Sequence, residues 1–182
     1  MFKYFFILYF IFFFVNSNAN NRDKIIENLE KTKNLNFQFE QNTNGKIQNG
    51  NCTIKYPRLI FCEYLRSNNK VLVSNGKSLV IKTRVSYYRY QLKDTPLNLI
   101  LDKKFLINKI YNLDEKITDG SYINYTIIEK SNEIDIFFDN KTFNLIGWQT
   151  KDMYQNVNIT LLSSIKKNQR ITEDLFKLPT QN

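Results

Sequence analysis

The chain has 182 residues, 26 Lys and Arg against 17 Asp and Glu, a formal net charge of +9 and no histidine. Its length suits one domain, and the missing histidine removes Ser-His-Asp and Cys-His catalysis, His-based general base chemistry and the usual zinc sites. The basic excess alone fits nucleic acid or an anionic membrane surface equally well, so the choice falls to the first twenty residues.

Met1-Phe2-Lys3 is a short positive start, Tyr4 to Val15 is a run of twelve apolar or aromatic residues, and Ser17 and Ala19 supply the small residues of a cleavage site. That is the pattern of a secretory signal peptide. A spanning helix needs about 20 apolar residues, so this run is too short for an anchor. Asn20 stands where a lipoprotein signal would place a cysteine. Residues 1–19 are therefore expected to be removed, leaving residues 20–182 as one exported, soluble domain of 163 residues with a charge of +8. Export argues against a nucleic-acid partner. The crowd of Asn, Lys, Ile, Phe and Tyr is what AT-rich codons supply, so the aromatic content does not by itself point to a ligand.

Arg22 to Lys33 reads as an amphipathic helix, with Ile25, Ile26 and Leu29 on one side and Asn20 or Asn21 as its cap. From Asn36 the period changes to two: Phe37 and Phe39 alternate with Gln38 and Glu40, and Gly45 and Gly50 mark turns. Cys52 to Tyr56 and Leu59 to Tyr64 fold about Pro57 as a hairpin. One face carries Cys52, Ile54, Tyr56, Ile60, Cys62 and Tyr64 without a charge. The other carries Thr53, Lys55 and Glu63 with Leu59 and Phe61. Pairing symmetrically about Pro57 sets Cys52 opposite Cys62, whereas a one-residue slip would part them. A cross-strand disulfide is the expectation, and two buried thiols are the alternative; no Cys-x-x-Cys redox motif is present.

Lys70 to Ser74 and Lys77 to Lys82 form a second hairpin around Asn75-Gly76. Ser86 to Leu92 is a further strand. Thr95-Pro96 then opens a short apolar helix through Leu101, with Thr95 as its N-cap, and a weaker helical stretch runs from Asp102 to Tyr111. Strands resume at Tyr122 to Glu129, Glu133 to Phe138, Phe143 to Thr150 and Gln155 to Leu162, and Thr172-Glu173-Asp174 caps a last turn. No repeat or linker interrupts this order. About ten antiparallel strands and a few helices make a mainly β, α+β chain with a curved sheet or open barrel. The 95–101 helix is too apolar to lie in water, so it should cover the concave face.

Several short segments resemble the LolA family of periplasmic lipoprotein carriers, in order and at similar spacing across nearly the whole exported part. They are Phe39-Glu40-Gln41, Gly50 to Pro57, Glu63-Tyr64, Val73-Ser74-Asn75-Gly76-Lys77-Ser78-Leu79, Thr95-Pro96-Leu97 through Leu101, Ile146 to Thr150 with Asp152, and Leu175 to Pro179. The resemblance implies a sheet of about eleven strands, an incomplete barrel covered by a helical lid. It implies that the interior takes the acyl chains of lipoproteins released by an inner-membrane ABC-type complex, and that the carrier crosses the periplasm to an outer-membrane acceptor. One departure stands out. The family's arginine immediately before the proline, which helps hold the lid shut, is Tyr56 here, and its role is not carried over to Arg58.

On this reading Ile54, Tyr56, Ile60, Cys62, Tyr64, Val73, Leu79, Ile81 and Tyr88 line the acyl-chain cavity, and Leu97, Ile100 and Leu101 form the lid. No cofactor or metal is implied, and the protein is expected to be a monomer. Glu63, Asp94, Asp102 and Asp152 have no spacing of an acid/base pair, so an enzyme is not expected. Two other readings stay open: a solid-cored envelope adaptor that binds a protein and no lipid, and a lipocalin-like binder of free hydrophobic molecules. Apolar alternation alone reports a buried face, not an empty one.

Overall fold

The computed structural model describes residues 20–118, 120–129, 132–151 and 156–181; residues 1–19, the expected signal peptide, and Asp152 lie outside them. Helix α1 (Asn21–Lys31) starts where the Asn20 side chain accepts the Arg22 N–H at 2.6 Å, and it turns Ile25 and Leu29 inward. It ends before Lys33 because Thr32 is already extended and the Lys33 N–H goes to the Asn168 side chain. The first strand consequently begins two residues earlier than the alternation suggests.

That strand is β1 (Asn34–Thr43), followed by β2 (Lys46–Lys55), β3 (Leu59–Tyr64), β4 (Val71–Asn75), β5 (Ser78–Lys82) and β6 (Tyr87–Gln91). A helical segment comes next, with α2 (Leu97–Leu101) and α3 (Lys103–Asn112). The chain then returns to strands as β7 (Lys116–Thr118), β8 (Tyr122–Glu129), β9 (Asn132–Asp139), β10 (Leu145–Lys151) and β11 (Val157–Lys167). The short β7 was not read from the sequence, because three residues are too few to display a period of two. Thr95 does not cap α2 either: its hydroxyl donates back to the Leu92 carbonyl at 2.8 Å.

The strands form one eleven-stranded sheet in the order β6-β5-β4-β3-β2-β1-β11-β10-β9-β8-β7. Two meanders of consecutive hairpins meet where β1 pairs antiparallel with β11. The sheet is curved and does not close; β6 and β7 remain as edges. Bulges contribute to the curvature. One lies where Ser164 and Ile165 oppose Phe37 with Ser164 at φ 52, and another lies between Leu145 and Gly147. The chain between the two free edges is the helical segment, so α2 and α3 span the gap and cover the concave face.

The main core sits between that face and the helices. Leu35, Phe37, Ile54, Tyr125, Ile136 and Phe138 of the sheet pack with Ile25 and Leu29 of α1, Ile100 and Leu101 of α2, and Leu106 and Ile110 of α3. Full burial of each such side chain is worth roughly 1.5–3 kcal/mol. On the convex side, Val73, Val80 and Phe176 are buried outside this core, beneath the C-terminal turn Glu173–Phe176 that crosses β3 and β4.

Candidate functional site

Strand register decides which side chains share the concave face. Cys52, Cys62, Leu72 and Ile81 stand in one row across β2 to β5, and Ile60, Ser74 and Leu79 stand in the next. Where α2 passes over these rows, a cavity of about 270 Å³ remains. Its floor carries Ile60, Cys62, Tyr64, Leu72, Leu79 and Ile81, and its roof is Pro96, Leu97 and Ile100 of the lid. The far wall comes from β1, β10 and β11, as Phe39, Gln41, Trp148, Thr150, Asn158 and Thr160.

Of the residues singled out from the sequence, Ile60, Cys62, Tyr64, Leu79, Ile81, Leu97 and Ile100 line this space. Ile54 and Leu101 are buried in the adjoining core under the helices. Val73 does not belong to the site. It pairs with Phe61 and Val80, so it shares their convex face, and the concave position in that strand is Leu72. Tyr88 lies opposite Ile81 and so on the concave side, but on the edge strand, where it is 54% exposed and clear of the cavity. Tyr56 is half-buried at the end of the hairpin, outside the cavity lining. Its hydroxyl is buried without a hydrogen-bond partner among the described residues, and burial raises its pKa.

Cys52 and Cys62, opposite each other in register with Cα atoms 4.1 Å apart, are joined as a disulfide in the floor. The far wall was not foreseen. Phe39 and the single tryptophan, Trp148, lay within segments already quoted and carried the only signal. Gly50 sits between Phe39 and Tyr64, and its bare Cα lets the Phe39 ring lie across β2 to meet Tyr64 edge-on at 4.9 Å. Tyr64 donates to Gln41 Oε1 at 3.3 Å, and Gln41 Nε2 donates to Thr160 Oγ1 at 3.2 Å. Burial pushes the Tyr64 pKa up to about 12, which keeps the phenol a neutral donor.

The lid is tied at its C-terminal end. Asp102 follows α2 and caps α3, its Oδ1 accepting the Phe105 N–H at 3.2 Å. The Arg58 guanidinium donates from Nε at 3.1 Å, and also from Nη2, to Asp102 Oδ2. The Arg58 backbone N–H donates to the Leu101 carbonyl at 2.9 Å. Desolvation is the largest influence on the Asp102 carboxyl and raises its pKa. The Arg58 hydrogen bond, the Phe105 N–H and the Arg58 charge oppose it and hold the carboxyl below its ordinary value.

A sequence model of the family described as outer membrane lipoprotein carrier protein LolA matches residues 30–179. The chain belongs to the LolA family. A comparison with curated proteins found no match. Among solved structures, an uncharacterized conserved protein of Thermus thermophilus is similar with a TM-score of 0.51 and 9% identity, over 88% of this chain and 95% of that one. A LolA superfamily protein of Nitrosomonas europaea has a TM-score of 0.45 and 8% identity, over 88% and 99%. Lipoprotein LppX of Mycobacterium tuberculosis has a TM-score of 0.44 and 10% identity, over 84% and 96%.

Arg58, to which the sequence reading assigned no role, makes both a side-chain and a main-chain contact with the end of the lid.

Proposed function

We propose that this protein is a periplasmic, non-enzymatic carrier that shields the acyl chains of lipoproteins and moves them from an inner-membrane ABC-type release complex to an acceptor at the outer membrane. The observation that carries this reading is the cavity itself: apolar floor, apolar helix above, and a gap left between them. Each methylene buried is worth about 0.8 kcal/mol, so a long chain left in water costs roughly 10 kcal/mol. A carrier must therefore offer greasy shelter nearly as good as a membrane and still release its load.

With α2 in place the cavity, at about 270 Å³ and partly open to solvent, falls just short of the roughly 300–1,000 Å³ typical of small-molecule sites. Taking up a long chain then requires α2 to lift, and a short apolar helix tied at one end by Arg58 and Asp102 is suited to that movement. A solid-cored adaptor would leave no such space beside Leu97 and Ile100.

The test is displacement of a fluorescent fatty acid from the mature protein, with Ile60→Asp and Ile100→Asp as variants. The expected result is binding by the parent and loss of binding in folded variants, checked by circular dichroism. Absence of binding by the parent would overturn the proposal. In the native bacterium, depletion is expected to strand outer-membrane lipoproteins in the inner membrane.

A further inference from the structure

The cavity is not uniformly apolar. Leu72, Leu79 and Ile81 lie toward one end. At the other, Thr150 faces Asn158 across β10 and β11, and Gln41 faces Thr160 across β1 and β11. Gln41 bonds to both Tyr64 and Thr160, and the Thr95 hydroxyl bonds to the Leu92 carbonyl. Asn158 differs: its Oδ1 is buried with no hydrogen-bond partner among the described residues. A buried acceptor left dry is costly, and native proteins rarely keep one without a reason.

We infer that Asn158 is the head-group anchor of the cavity, and that the preferred ligand is an acyl chain bearing an N–H or O–H donor beside its first carbons, such as an N-acyl amide or a partly acylated glycerol. The donor meets Asn158 Oδ1, and the tail runs toward Leu72, Leu79 and Ile81. A pure hydrocarbon satisfies only the apolar end, and a simple ester brings acceptors but no donor for Asn158 Oδ1. This inference rests on the acyl-carrier reading and adds to it both a chemical class and an orientation.

Two probes of nearly the same shape test it: N-methyl-lauramide, which has one N–H donor, and methyl laurate, which has an ester oxygen in its place. Their Kd values are measured by displacement of a dansyl-labelled fatty acid from the parent and from Asn158→Leu, with Asn158→Ser as a second, smaller change should the leucine variant unfold. The two probes differ in solubility, so the readout is the ratio of their affinities, compared between proteins as a double-mutant cycle. The amide-to-ester preference is expected to fall about fivefold or more on removing Asn158. An unchanged ratio, with both probes still binding, overturns the anchor and leaves the carrier reading standing. Failure of the parent to bind either probe overturns both.

Discussion

Arg58 and Asp102 are joined through two guanidinium nitrogens that converge on one carboxylate oxygen, Oδ2, at the joint where α2 gives way to α3. The arginine lies on the turn between β2 and β3, so the pair links the floor of the concavity to the end of its roof. Because the Arg58 side chain is 48% exposed, solvent screening keeps the pair within the ~0–1 kcal/mol measured for surface ion pairs. Arg58→Gln is expected to ease opening of the lid and tighten fatty-acid binding by about twofold to fivefold, while lowering the melting temperature only slightly. Weaker binding in a folded Arg58→Gln protein would mean that the pair builds the bound state and does not restrain the lid.

The same pair sets a pH dependence. The Asp102 carboxyl is held below its ordinary pKa in the folded protein, so its contribution is complete above the unfolded value near 3.9 and disappears as pH falls through the lower folded value. Asp102→Asn keeps a capping acceptor for the Phe105 N–H but cannot carry the charge. The stability difference between parent and variant is expected to stay constant from about pH 8 to pH 5 and to shrink below about pH 4. Thermal melts across that range test it, and a difference that grows toward low pH would contradict the assignment.

Face assignment on β4 and β5 yields a contrasting pair of variants. Val73 is buried on the convex side and Ile81 borders the cavity. Val73→Ala removes packing beneath the C-terminal turn and is expected to cost about 1–2 kcal/mol of stability with fatty-acid affinity unchanged. Ile81→Trp instead fills the void from a half-buried position. It is expected to weaken binding about tenfold or more with stability within about 1.5 kcal/mol of the parent. Chemical denaturation and probe titration on the two proteins together decide whether the faces are correctly drawn.

What the sequence made legible follows from the strength of each local signal. Alternation placed Ile60, Cys62 and Tyr64 on one face because Glu63 and, on the paired strand, Thr53 and Lys55 gave contrast on the other, and Asn75-Gly76 fixed its hairpin because Gly76, at φ 91, occupies a conformation that glycine adopts freely. Alternation failed in β4, where Val71, Leu72 and Val73 are all apolar and only pairing with β3 reveals which faces inward. It failed again on the far wall. Gln41, Thr150, Asn158 and Thr160 are polar, and a search for apolar lining passes over them. The lid latch was hidden for another reason: Arg58 and Asp102 are 44 residues apart, and only the folded hairpin brings that turn beneath the helix.

Gly50 gives the sharpest test of how the cavity wall is built. A Cβ at that position would stand 2.1 Å from the Glu63 carbonyl oxygen and 2.6 Å from Cε1 of Phe39. The first neighbour is backbone of the paired strand and the second is the ring that walls the cavity, so neither can yield without disturbing β3 or the Phe39–Tyr64 contact. Gly50→Ala is therefore expected to destabilise the protein by about 1–3 kcal/mol through overpacking, and to weaken fatty-acid binding as the Phe39 ring is pushed from its place. Phe39→Leu in the Gly50→Ala background shortens the obstructing side chain and should recover part of the lost stability. If the double variant is no more stable than Gly50→Ala alone, the strain lies wholly between β2 and β3 and the ring is a bystander.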